Sequence, residues 1–430
     1  MERTLMNDFK RWKDNVYRKP LILWGARQVG KTWLMKEFGK ACFQNTVYIS
    51  FYNNHRMASI FEPDYSVPRI LQALEIELHV EIDPQNTLLL FDEVQHAPKV
   101  VESLKYFQEE APEYHVIAAG SLLGVALHEG ISFPVGKVDE LRLYPLSFEE
   151  YLAARSEKRL ASFLSDWRNP EINLFRERYI ELLKEYMIVG GMPEIVDRFC
   201  QHQDYHQVRE MQLNILSQYE GDFGKHAAPA LLPRIRMAWN AIPAQLAKEN
   251  KKYFFGQVKT GARMRDFEMA LQWLRDAGLV YLVNKVEKPA MPLKSYIDLS
   301  SFKLYLIDIG LLGALSELDM DSVLRGNEIF VEFKGAFTEQ YVLQQIIAAT
   351  PYTPYYYSGE KSTYETDFLI QKGRDVLPIE VKSGKDYERH NALNNVMADK
   401  DYDIPSAYVF CQDNVSVKET ITYYPIYMIT

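Results

Sequence analysis

At 430 residues the chain exceeds what one hydrophobic core usually supports, so two to four domains are expected. With 47% hydrophobic and 25% charged residues and no low-complexity tract, disordered, fibrous and collagen-like classes are excluded. A net charge of −9 gives no global attraction to nucleic acid or anionic membranes, so any such binding must come from a local basic surface.

The chain opens with Met1-Glu2-Arg3-Thr4 and a charged stretch around Lys10, Arg11 and Lys13, without the apolar core of a secretory signal. The longest apolar stretch, Val116 to Leu127, holds a serine and two glycines and falls short of the roughly 20 residues a membrane span needs. A cytoplasmic protein with no membrane contact is therefore expected. Cys42, Cys200 and Cys411 are odd in number and far apart, and no Cys/His pair has zinc spacing, so they read as reduced thiols.

From Pro20 to about Leu143, β-type runs alternate with amphipathic segments. The candidate strands are Leu21–Trp24, Val47–Phe51, Thr87–Phe91 and Val116–Ala119. That alternation predicts a parallel sheet covered by helices, an α/β core over residues 1–146. Directly after the first run, Gly25-Ala26-Arg27-Gln28-Val29-Gly30-Lys31-Thr32 fits G-x-x-x-x-G-K-[ST], and a helical run from Trp33 follows it. Glycines let the backbone turn so that successive N–H groups face phosphate oxygens, and the helix N-terminus adds about half a positive charge toward the same anion. On this reading Gly25, Arg27, Gln28, Val29, Gly30, Lys31 and Thr32 cradle ATP. Lys31 reaches the β/γ-phosphates as a catalytic cation, and the Thr32 hydroxyl serves Mg²⁺. The bland reading is a glycine-rich turn with a surface lysine.

The run Thr87-Leu88-Leu89-Leu90-Phe91 ends in Asp92-Glu93, two carboxylates at the edge where a buried parallel strand emerges. Asp92 is expected to hold Mg²⁺ through water and Glu93 to polarise the water that attacks the γ-phosphate. Standing alone, the pair would read as a helix cap. Ser121, at the end of the next run, reads equally as a contact to the γ-phosphate or attacking water and as a helix N-cap.

These residues resemble AAA+-type ATPases of bacteria and archaea, whose loop reads G-x-R-Q-x-G-K-T and whose second motif reads L-x-x-D-E-x-Q. Both occur here, at Gly25 to Thr32 and Leu89 to Gln95. Gly120-Ser121, the stretch Leu143 to Glu150 and Gly190-Gly191-Met192-Pro193-Glu194 extend the resemblance. Where relatives often show Gly-Arg this chain has Gly136-Lys137, and Leu122 replaces a second serine. Lysine lacks the planar fork of arginine, so no arginine finger is assigned.

Further along, residues 147–230 read as a charged helical subdomain broken at the Gly190-Gly191 turn. Residues 231–326 hold three helix-like segments, the last from Arg263 to Ala277, before the apolar run Leu279–Val283. This order resembles a winged helix. Residues 327–430 read as a small α/β domain, with a helix at Ala336–Ala349 and strands at Pro354–Tyr357, Thr366–Ile370, Val376–Val381 and Ala407–Cys411.

Asp367 and the run Pro378-Ile379-Glu380-Val381-Lys382 resemble the D…(D/E)-x-K core of restriction-endonuclease-like folds, which relatives also carry at their C-terminus. The triplet alone says little, because Asp8-Phe9-Lys10, Glu249-Asn250-Lys251 and Glu332-Phe333-Lys334 fit it too. Alternation puts Glu380 and Lys382 on one strand face about 7 Å apart, and Lys372-Gly373-Arg374-Asp375 predicts a hairpin that brings Asp367 beside them. Asp367 and Glu380, with Glu339 from the preceding helix, are then candidate ligands for one Mg²⁺, and Lys382 positions the attacking water of a phosphodiester hydrolysis. The alternative is a degenerate fold with salt-bridged carboxylates.

Lys248, Lys251, Lys252, Lys259, Arg263 and Arg265, interleaved with Tyr253, Phe254 and Phe255, form a candidate DNA or RNA contact, against the reading of a solvated face. The expectation is an ATP-hydrolysing protein whose nucleotide state controls a nuclease-like module, and an oligomer is compatible with it. An ATP-dependent scaffold that binds a protein partner through an inactive module is the alternative. A P-loop kinase of a small acceptor fits less well, because Glu93 suits a water nucleophile.

Overall fold

The computed structural model describes residues 1–126, 132–164, 171–248, 251–320, 331–359, 365–384 and 386–429. They form two compact units. One comprises Glu2–Tyr144 with Asp276–Gly278, and the other Pro145–Arg275 and Leu279–Thr430 together with Met1.

The first unit is built on a five-stranded, wholly parallel sheet. Its strands are β1 (Leu21–Trp24), β2 (Asn45–Ser50), β3 (Thr87–Asp92), β4 (His115–Ala119) and β5 (Asp139–Arg142). Their order is β2-β3-β4-β1-β5. Every residue of β3 and β4 is buried, which is why both read as unbroken apolar runs rather than alternating ones. The helices Lys31–Cys42, Val67–Leu78 and Pro98–Glu110 bury apolar stripes, and the N-terminal helix Leu5–Asp14 lays Phe9 and Trp12 against Phe38. The four apolar strands expected from the sequence are present. β5, with the sequence Asp-Glu-Leu-Arg, was not legible as a strand: it is an edge, half-exposed and held by backbone pairing to β1.

In the second unit, helices occupy Phe148–Ala154, Arg176–Val189, Pro193–His202, Tyr205–His226, Leu232–Asn240 and, as far as Arg275, Met264–Asp276. The first begins at a capping box, with Ser147 and Glu150 satisfying each other's backbone N–H groups. A mixed eight-stranded sheet follows: β6 (Val280–Val286), β7 (Ile297–Leu306), β8 (Tyr355–Ser358), β9 (Glu365–Lys372), β10 (Asp375–Val381), β11 (Ala407–Cys411), β12 (Ser416–Lys418) and β13 (Ile421–Pro425). β6 pairs antiparallel with β7 on one side and parallel with β8 on the other, so strands from both the 231–326 and the 327–430 segments share one sheet. β9 and β10 form the expected hairpin, with Lys372 opposite Asp375 and Gly373 in the left-handed region at φ 63°.

The helix Val331–Ala349 is buried on nearly all described faces, among them the apolar Phe337, Tyr341, Val342, Leu343 and Ile346. Its buried glutamines satisfy backbone elsewhere. Gln340 bridges both polar atoms of Leu306, Gln344 accepts from Ile309 N, and Gln345 accepts from Phe148 N. The carboxylate of buried Asp308 accepts from Gly191 N at 2.7 Å, Leu311 N at 3.1 Å and Gln344 Nε2 at 3.1 Å. Tyr186 receives Gln344 and Gln345 and donates to Leu146 O. Among the described residues no helix is long and apolar enough to cross a membrane.

Candidate functional site

In a parallel sheet every strand's C-terminal end opens on one edge. The order β3-β4-β1 therefore gathers the loops after β1, β3 and β4 side by side. Those loops carry the candidate nucleotide residues.

The loop after β1 turns through Gly25 (φ 154°), Gln28 (φ 68°) and Gly30 (φ 94°). A β-carbon on Gly25 would stand 2.5 Å from the carbonyl oxygen of Leu143, so a side chain there collides with backbone. Val29 is fully buried and pins the loop to the core, and Arg3 donates to its carbonyl at 3.1 Å. Arg27 and Gln28 lie in the same loop, each half-buried. Lys31 opens the helix Lys31–Cys42 and is itself buried, with Nζ donating to Gly25 O at 2.8 Å and Ala26 O at 2.7 Å. Burial pushes its ammonium down to about 8, against the opposing pull of Glu93 and Asp92.

Thr32 Oγ1 donates to Asp92 Oδ2 at 2.6 Å, and Tyr48 OH donates to the same oxygen at 3.0 Å. Burial, followed by the charge of Asp92, raises the Tyr48 phenol to about 12, so it remains a donor. Glu93 sits in the left-handed region at φ 55°, an unfavourable conformation for a non-glycine residue. Its Oε2 accepts from Gln95 Nε2 and, at 3.2 Å, from Ser121 Oγ. Lys31, Thr32, Asp92, Glu93 and Ser121 thus converge. Tyr48 and Gln95 are members the sequence reading did not single out; the only trace of Gln95 was the final position of the L-x-x-D-E-x-Q motif.

The C-terminal candidates also converge, with partners the sequence reading missed. Glu380 lies near the end of β10, and Lys382, just beyond it, pairs with Glu380 Oε1 at 2.7 Å. Asp367 on β9 accepts from Val381 N at 2.7 Å. Burial holds its carboxyl well above the usual range, reinforced by the charges of Glu339 and Glu380. Burial also raises Glu380, opposed by Lys382. Glu339, from the helix Val331–Ala349, forms an ion pair with Lys251 and accepts from Tyr305 OH at 3.2 Å. Burial would raise Glu339, but Lys251 and Lys303 outweigh it and hold the carboxyl below its ordinary value.

Lys303, on β7, has no exposed surface and pairs with Glu365 at 2.5 Å. Burial works against its charge, yet Glu365, Glu339 and Asp367 together raise it above the usual lysine range. The signal was a lysine inside the apolar run Phe302-Lys303-Leu304-Tyr305-Leu306. Among the described residues, no group of three or more His, Cys, Asp or Glu side chains is arranged to hold a metal ion.

The basic cluster between 248 and 265 divides. Lys259, Arg263 and Arg265 are exposed, whereas Lys251 turns inward to Glu339, and Tyr253 stacks on Phe302 at 5.5 Å.

Residues 17–152 match the AAA domain family. Residues 180–322 and 334–429 match two domains of unknown function. No curated protein matches the chain. Among solved structures it is similar to a Walker-type ATPase of Pyrococcus abyssi, at 16% identity over 72% of this chain and 94% of that one, with TM-score 0.46. AMPPCP-bound DnaA from Aquifex aeolicus aligns at 11% identity over 63% of this chain and 85% of its own, with TM-score 0.28. A STAND signal-transduction ATPase with a tetratricopeptide repeat sensor, from Pyrococcus horikoshii, aligns at 12% identity over 80% of this chain and 45% of its own, with TM-score 0.27. With its phosphate loop and acidic strand end on one edge of a parallel sheet, the segment 17–152 is an AAA-type P-loop ATPase domain.

Proposed function

We propose that the chain binds and hydrolyses ATP at the loop Gly25 to Thr32, and that nucleotide state governs a C-terminal nuclease-like module. The observation that carries the first part is the 2.6 Å hydrogen bond from Thr32 to Asp92, a hydroxyl and a carboxylate brought together from separate motifs. Such a hard-oxygen pair fits Mg²⁺, which when bound to ATP neutralises charge on the phosphates. Around it, the backbone N–H groups of residues 25–32 bind the phosphate chain, and Lys31 turns from its loop carbonyls to the phosphate oxygens. Glu93, held by Gln95 and Ser121, orients a water for in-line attack and takes up its proton. ATP turnover measured for wild type, Lys31→Ala and Glu93→Gln, with and without DNA, tests the reading. Unchanged turnover in both variants would overturn it.

For the second unit, Asp367 and Glu380 across the β9–β10 hairpin support a nuclease-like module resembling the D…(D/E)-x-K type, and the helices before β6 support a winged-helix-like region at 231–326 whose exposed Lys259, Arg263 and Arg265 contact nucleic acid. A second reading has its own observation. Lysines already neutralise Glu339, Glu365 and Glu380, as in an inactive domain that serves as a partner-binding scaffold. Mg²⁺- or Mn²⁺-dependent cleavage by wild type, lost in Glu380→Gln and Lys382→Ala, supports the nuclease. Inactivity across varied DNA and RNA substrates supports the scaffold.

A further inference from the structure

Three residues far along the chain belong to the first unit: Asp276, Ala277 and Gly278, with residues of the second unit on either side of them in sequence. They lie well outside the ATPase segment 17–152. Local rules account for the turn itself. The helix Met264–Asp276 ends because Gly278 is left-handed at φ 74°, and Leu279 N reaches back to Leu274 O at 3.0 Å.

Local rules do not account for what the turn touches. A β-carbon on Gly278 would stand 3.3 Å from Ala26 N and 3.5 Å from Ala26 Cβ. Ala26 is part of the phosphate loop, and its carbonyl accepts from Lys31 at 2.7 Å. Gly124, in the short helix Leu123–Ala126 after β4, makes a second close approach: a β-carbon there would stand 2.5 Å from Asp276 O. Two glycines thus let the turn lie against the loop and against that helix without side chains between them. Such close-packed contacts yield little, so the turn acts as a stop behind Ala26.

We propose that Asp276–Gly278 is a positioning element of the ATP site: seated against Ala26 and Gly124, it fixes the phosphate loop in the shape that binds ATP. The inference rests on reading Gly25 to Thr32 as the ATP loop and adds a determinant of its affinity from outside the ATPase segment. When Lys31 leaves the carbonyls of Gly25 and Ala26 for the phosphates, the loop loses two internal hydrogen bonds, and the turn is what keeps Ala26 in place. By linkage, if the turn strengthens ATP binding, bound nucleotide strengthens the seating of the turn to the same extent.

The test uses the full chain, with calorimetry of the magnesium complex of the non-hydrolysable analogue AMPPCP and with ATP turnover. Gly278→Ala and Gly278→Asn both add the β-carbon, and asparagine tolerates the left-handed backbone. Gly124→Ala pushes on the turn from a residue that is not in the loop. Gly261→Ala is the control, because Gly261 has φ 77° but a β-carbon there meets nothing within 4 Å. Circular dichroism melts report folding. The Gly278 and Gly124 variants should weaken AMPPCP binding about tenfold, and Gly261→Ala by less than about twofold, since a loop shifted by a fraction of an ångström presents its N–H groups poorly. In the Gly278 variants kcat at saturating ATP should stay within about threefold, because the change falls on binding and Glu93, Gln95 and Ser121 are left in place. In wild type, with no substitution to unfold it, saturating AMPPCP should slow hydrogen exchange over residues 277–282 at least about fivefold. Wild-type affinity in folded Gly278→Asn and Gly124→Ala, an equal loss in Gly261→Ala, or unchanged exchange in wild type would overturn the proposal and leave an ordinary helix cap. Lys31→Met separates this from failure of the underlying reading: if that variant binds AMPPCP as wild type does, the phosphate-loop assignment itself is wrong.

Discussion

The hydroxyl of Thr32 donates to Oδ2 of Asp92 at 2.6 Å, although 60 residues of chain separate them. Thr32 is fixed by the start of a helix and Asp92 by the end of β3, so both are held by rigid elements rather than by loops. Asp92→Asn removes the charge and keeps the shape. Calorimetry with ATP should then show the benefit of added Mg²⁺ reduced by about ten- to a hundredfold, since a charged hydrogen-bonding group contributes about 1.5–3 kcal/mol. Equal Mg²⁺ dependence in wild type and variant would refute the assignment.

Glu93 is held by two donors, Gln95 and Ser121. Glu93→Gln should lower ATP turnover by about 10²–10⁴-fold while leaving nucleotide affinity within a few fold, as expected of a general base. Ser121→Ala leaves Gln95 in place, so a milder loss in kcat, about tenfold, is expected from single-turnover measurements.

The ammonium of Lys31, depressed to about 8 by burial, gives a pH dependence. The cation is the form that binds phosphate, so affinity of the nucleotide-free protein for ATP should hold below pH 8 and fall above it, by about tenfold at pH 9. For stability the sign is opposite. A lysine depressed on folding destabilises the empty protein while it is charged, and that penalty fades as pH rises from about 8 toward its unfolded value. Fluorescent-nucleotide titrations from pH 7 to 9.5 should show the affinity loss in wild type and a flat profile in Lys31→Met.

Asp308 accepts from Gly191, Leu311 and Gln344 in a fully buried position. Asp308→Ala would strand the N–H groups of Gly191 and Leu311 and take from Gln344 Nε2 one of its two acceptors, so thermal unfolding should report a loss of about 3 kcal/mol or more. Asp308→Asn keeps an acceptor and should lose less. An unchanged melting temperature for the alanine variant would mean that the network is dispensable.

Elements whose residues answer to local rules were legible from the chain alone. Leu21–Trp24, Thr87–Asp92 and His115–Ala119 declare buried parallel strands because both faces meet helices, and Gly25 and Gly30 declare a turn other residues cannot make. The Lys372 to Asp375 hairpin was legible for the same reason. Other features depend on neighbours remote in the chain and emerge only once it has packed. β5 carries a polar sequence and is a strand only because β1 offers it backbone partners. Lys251, read as one of a basic group, turns inward because Glu339, 88 residues away, is a stronger attraction than water once both are buried. Lys303 belongs to the carboxylate cluster because β7 passes beside β6 and the helix carrying Glu339. Charge pairing across a fold is set by which surfaces pack, and no window of sequence records that.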